Sequence, residues 1–91
     1  MSDRKRVTIR IEGLVQGVNF RQAVRQEAIR LGITGLAHNE RDGSVTIEAE
    51  GMPADLERLV NWCRHGPDAA RVDRITVTDG PLAGYAGFAR I

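Results

Sequence analysis

The sequence predicts an α+β fold in which two helices pack on one face of an antiparallel sheet. Three observations carry that prediction. Several stretches alternate apolar and polar residues, two others repeat apolar residues every three or four positions, and glycine or proline separates them.

The first strand is the clearest. Val7, Ile9 and Ile11 alternate with Thr8, Arg10 and Glu12, the period of a strand with one buried face. Residues 13–19 contain two glycines and no long apolar run, and read as a loop. A helix follows, because Phe20, Val24, Ala28 and Leu31 fall on one side of a 3.6-residue repeat. Asn19 is its expected N-cap and Gly32 its expected terminator. Residues 33–40 and 44–50 read as strands two and three, with Val45, Ile47 and Ala49 sharing a face. Arg41-Asp42-Gly43 between them is a hairpin signal, since Asp-Gly accepts the tight turn. Pro53 suits the first position of a second helix, whose apolar stripe is Leu56, Leu59, Val60 and Cys63, and Gly66-Pro67 ends it. Residues 72–78 read as a fourth strand with Ile75 and Val77 inward. Residues 84–91 are expected to add a short C-terminal edge strand using Phe88. The resulting order, βαββαβ, is that of a ferredoxin-like split motif, a fold that hosts many unrelated activities.

With 91 residues the chain is read as one domain, 1–91, in which residues 1–6 form a flexible tail. Arg4-Lys5-Arg6 in that tail is read as solvated charge. The net charge of +1 offers no electrostatic case for nucleic acid or an anionic membrane, and neither is expected as a partner. The predicted open-face residues point the same way. Thr8, Arg10, Glu12, Ser44, Thr46, Glu48 and Glu50 include no aromatic on which a base would stack. Cys63 is the single cysteine, which forms no internal disulfide and suits a reducing compartment. With no apolar segment near Met1, the expected location is the cytoplasm. No apolar patch stands out, so a monomer is expected.

The chemistry concentrates in Gly13-Leu14-Val15-Gln16-Gly17-Val18-Asn19-Phe20-Arg21. This loop leads from a strand into a helix start, where first-turn amides lack partners and the helix dipole favours an anion. Gly17 lets the chain turn so that successive amides converge into a nest. Arg21 adds a permanently charged fork suited to phosphate oxygens. There is no Walker-type lysine and no dinucleotide-binding glycine spacing, so a single phosphoryl group is the expected ligand.

These residues resemble the acylphosphatase family. The match runs through Gly13, Val15-Gln16-Gly17-Val18, Phe20-Arg21, Leu31-Gly32-Ile33-Thr34-Gly35, Asn39, Asp42-Gly43-Ser44-Val45, Glu50-Gly51, Gly66-Pro67 and a Tyr85…Phe88 pair. It departs at Asn19, where the family usually has glycine or an aromatic, and at Leu36-Ala37-His38. The resemblance implies hydrolysis of acyl phosphates to a carboxylate and inorganic phosphate, with no metal and no cofactor. It implies that Arg21 and the amides of Val15, Gln16, Gly17, Val18, Asn19 and Phe20 bind the phosphate. It also implies that Asn39 positions the attacking water.

The remaining candidates have plainer readings. His38 lies on the strand face opposite Asn39, and His65 suits a helix C-terminus, so the two do not form a metal site. Cys63 is read as core, Trp62 as packing, and Tyr85 with Phe88 as cover for the sheet edge.

Overall fold

The computed structural model describes residues 3–91. The elements are β1 (Lys5–Leu14), α1 (Phe20–Arg30), β2 (Thr34–Asn39), β3 (Val45–Gly51), α2 (Pro53–Cys63), β4 (Arg71–Gly80) and β5 (Phe88–Arg90). They form one five-stranded sheet of order β4-β1-β3-β2-β5, with the helices on one face. The first four strands pair antiparallel, as the ferredoxin-like order requires. The C-terminal edge strand differs. β5 runs parallel to β2, which makes the sheet mixed rather than wholly antiparallel. Residues 81–87 carry the chain from β4 at one edge of the sheet to β5 at the other, where it enters alongside β2.

β1 is longer at both ends than alternation suggests. Lys5 and Arg6, assigned to the tail, are strand residues, with Arg6 paired to both Glu50 and Gly80. The rest of that tail includes Met1 and Ser2, which lie outside the described residues. At its other end β1 continues through a register shift between Glu12 and Gly13 to Leu14.

The core lies between the sheet and the helices. Ile9, Ile11, Val24, Ala28, Val45, Ile47, Ala49, Leu59 and Cys63 are fully buried there. α1 packs over β2 and β5, while α2 packs over β1 and β3. Edge strand β4 is covered only loosely, with a groove lined by Pro53, Leu56, Val60 and Val77 between it and α2. This is why Val77, on the inward face, is 44% exposed, and Ile75 only half-buried.

The opposite face is also not open as expected. Glu50 is 1% exposed and Ser44 2%. The segment 81–87 lies across the β3 end of this face, and the amides of Ala83, Gly84 and Tyr85 all donate to the Glu50 carboxylate. Ser44 is taken up in the hairpin, where its amide and hydroxyl donate to Asp42 Oδ1 at 2.9 and 2.6 Å. Those bonds, the hydroxyl first, together with the Arg10 guanidinium, hold the Asp42 carboxyl well below the usual carboxylate range.

Candidate functional site

The loop that follows β1 and the start of α1 form one wall of a cleft. Gly17 has φ 75°, a left-handed conformation that glycine adopts without strain, and it turns the loop back on itself. Asn19 is also left-handed, at φ 66°, and its side chain makes no capping bond. It stands at the N-cap position as expected, yet it does not satisfy the first-turn amides. Its carbonyl still accepts the amide of Ala23 at 3.1 Å, so the helix begins normally. Among the described residues, no acceptor in the chain takes the amides of residues 15–19. Amides left without an acceptor in a turn remain available as donors.

A staple fixes this loop against the hairpin. Gln16 Nε2 donates to the carbonyls of Glu40 at 2.7 Å and Ser44 at 2.9 Å. The loop is thereby held beside the end of β2, where Asn39 sits on the same strand face as buried Ala37. On the far side, Phe20 packs edge-to-face on Trp62 at 5.9 Å, which anchors the first residue of α1 to α2. Gly66 comes so close beneath that ring that a Cβ there would stand 2.4 Å from Phe20 Cε2.

The cleft has a volume of about 240 Å³ and is lined by Val15, Gly17, Asn19, Phe20, Arg21, Gln22, Asn39 and Arg90. The structure thus brings Arg21 and Asn39 to one cavity with four of the six expected loop residues. The side chains of Gln16 and Val18 go elsewhere, Gln16 to the hairpin and Val18 against the core. Two lining residues, Gln22 and Arg90, were absent from the sequence reading. Gln22 carries only a weak signal, being next to Arg21 at a helix start. Arg90 carries none, because only the parallel pairing of Leu36 and Ala37 with Ala89 and Arg90 brings it to this end of the sheet.

The electrostatics are one-sided. The charged side chains lining the cleft are those of Arg21 and Arg90, and no Asp or Glu side chain lines it. Arg21 Nη1 donates to the backbone oxygen of Ile91 at 2.6 Å, which fixes the direction of its guanidinium. Arg25, one helical turn further on, donates to the Phe88 carbonyl at 3.0 Å and ties α1 to β5. His38 stands on the other face of the sheet with Nδ1 at 2.9 Å from Glu40 Oε1. Among the described residues, no group of three or more His, Cys, Asp or Glu side chains is gathered to hold a metal ion. Cys63 is fully buried, and that burial pushes its thiol far above the usual range, which makes it inert core.

Comparison with known proteins shows the family and the fold. The sequence model of the acylphosphatase family matches residues 7–90. An acylphosphatase from Anaeromyxobacter sp. (strain Fw109-5) is 47% identical over 87 residues, covering 96% of this chain and 94% of that one. Among solved structures, an acylphosphatase from Bacillus subtilis superposes with a TM-score of 0.93 at 34% identity, covering 96% of this chain and 98% of that one. One from Coxiella burnetii superposes with a TM-score of 0.94 at 29% identity, covering 98% and 94%.

Proposed function

The chain belongs to the acylphosphatase family and is an enzyme of that activity, and from this premise we propose that the cleft between residues 15–21 and Asn39 is where it cleaves the carboxyl-phosphate bond of acyl phosphates. Arg21 and the loop amides hold the phosphoryl group. Asn39 orients the water that attacks phosphorus. One observation carries this reading: the arginine, the asparagine and a loop of amides without acceptors meet in one cavity lined by no Asp or Glu side chain.

Elementary chemistry supports the assignment. The carboxylate leaving group of an acyl phosphate is a weak base and departs with little protonation. The barrier then falls mainly through orientation and through stabilisation of charge on the phosphoryl oxygens. The Arg21 guanidinium supplies two charge-assisted donors in a plane, and its bond to Ile91 reduces its freedom before substrate arrives. The amides at residues 15–20 supply further donors at no side-chain entropy. Asn39 is neutral, so it aligns the water without removing its proton. Water oxygen bonds to phosphorus, the bond from phosphorus to the acyl oxygen breaks, and the proton passes to a phosphoryl oxygen. The products are a carboxylate and inorganic phosphate.

The decisive experiment is release of inorganic phosphate from benzoyl phosphate with a chelator present. Turnover by the unaltered protein and its loss in Arg21→Ala are the expected results. Near-normal turnover by that variant would remove Arg21 from the site.

A further inference from the structure

Glu50 is a buried carboxylate for which the hydrolytic reading has no use. It stands on the face of β3 turned away from the helices, with 1% of its surface exposed. It accepts the amide of Gly84 at 3.1 and 3.2 Å, that of Tyr85 at 3.3 Å, and that of Ala83 closer still. Burial by itself pushes such a carboxyl upward, but the three amides, with Arg4 nearby, outweigh it and hold Glu50 below the ordinary range. Two residues earlier on the same face, Glu48 accepts the Tyr85 hydroxyl at 2.8 Å and pairs with Arg6. Two neighbouring carboxylates therefore tie down residues 83–85, in a segment with no helix or strand of its own.

That segment leads directly into β5, and β5 reaches the cleft. Gly35 donates to the Gly87 carbonyl at 2.8 Å, and Ile91 donates to the Ala37 carbonyl at 3.0 Å. Ile91 then provides the acceptor for Arg21, and Arg90 lines the cavity. A strand of three residues has few ladder bonds with which to fix itself. Its place depends on what holds its two ends.

We propose that Glu50 is a positioning residue for the phosphate site: by fixing residues 83–85 it sets where β5 lies, and so where Arg21 and Arg90 point. The proposal rests on the acyl-phosphate reading of the cleft. Glu50 touches no substrate and acts only through the strap.

The test is Glu50→Gln, which keeps the shape but turns one acceptor into a donor facing an amide. Affinity for inorganic phosphate is measured by calorimetry, together with KM and kcat for benzoyl phosphate. Phosphate affinity is expected to weaken and KM to rise in parallel, each by roughly tenfold, the effect of one lost charged hydrogen-bond group. kcat should change much less, because Asn39 and the loop stay in place. Tyr85→Phe should move the same two quantities in the same direction by a smaller factor. A lowered melting temperature with phosphate affinity and KM unchanged below the transition would overturn the proposal. If Glu50→Gln does not fold, unchanged phosphate affinity in Tyr85→Phe and Glu48→Gln would overturn it equally. Absent turnover in the unaltered protein would count against hydrolysis alone, while phosphate affinity in the variants would still decide the role of Glu50.

Discussion

The two edges of the sheet are finished in opposite ways. β4 is ten residues long, pairs along its length with β1 and is only loosely covered by α2. β5 is three residues long, sits beneath α1 and is strapped from the other face by residues 81–87. The long edge has the stronger strand signal and lies away from the cleft. The short one borders the cleft and supplies Arg90 and, just beyond it, the acceptor for Arg21. The contrast shows that an element's intrinsic strength and its functional weight are independent. β4 is held by its own ladder on β1, while β5 is placed by bonds from β2, α1 and β3.

Substitutions on the two sides should therefore separate cleanly. The largest effect belongs to Arg21→Ala, expected to lower kcat/KM on the order of 10³ with little change in melting temperature. Phosphate release and thermal melting check the two halves of that statement. Asn39→Ala should lower kcat on the order of 10² while KM stays within a small factor, because the water rather than the phosphate loses its partner. Steady-state kinetics on benzoyl phosphate distinguish the cases. Phe88→Ala empties a buried position under α1 and should cost about 3 kcal/mol in a urea titration, with KM raised in the fraction that stays folded. Val77→Ala, on the loosely covered edge, should stay within about 0.5 kcal/mol and leave kinetics unaltered. Equal costs at Phe88 and Val77 would break the comparison of the two edges.

The strap adds a dependence on pH. Glu48 is held below the ordinary carboxylate range first by the Tyr85 hydroxyl and then by Arg6, and Glu50 by the amides that overcome its burial. Depressed folded values mean that the unfolded chain binds more protons, so these groups favour the fold above the unfolded carboxylate pKa of about 4.3 and lose that contribution as pH falls through their folded values. Urea midpoints should be flat near neutrality and drop below about pH 4, more steeply in the unaltered protein than in Glu50→Gln.

Much of this was written in local patterns. Val7, Ile9 and Ile11 lie in the core as their alternation requires, and Phe20, Val24 and Ala28 make the buried stripe of α1. Gly32 and Gly43 take left-handed conformations at the two breaks where the pattern changes. Leu31 is only half-buried, because the helix has ended before it and Leu31 is the C-cap. Where the reading failed, the missing fact was a neighbour. Alternation assigned Val77 to the inward face and had no way of knowing that α2 leaves a groove beside it, so that Val77 is 44% exposed. It assigned Glu50 to an open face and had no way of knowing that residues 81–87 return across it. Asn19 stood at a helix start as a capping residue should, but its left-handed backbone left the side chain without a cap bond.

The sequence by itself determined the order of elements, their core faces, and the loop that carries Gly17 and Arg21. Each of these depends on conformational preferences and hydrophobic spacing within about a dozen residues. Only the tertiary structure decided that Asn39 faces that loop, that Gln16 staples the two together, that β5 runs parallel to β2, and that Arg90 and Ile91 arrive beside Arg21. Those outcomes rest on hydrogen bonds between residues 24 to 70 positions apart, and no local pattern encodes a partner at that distance.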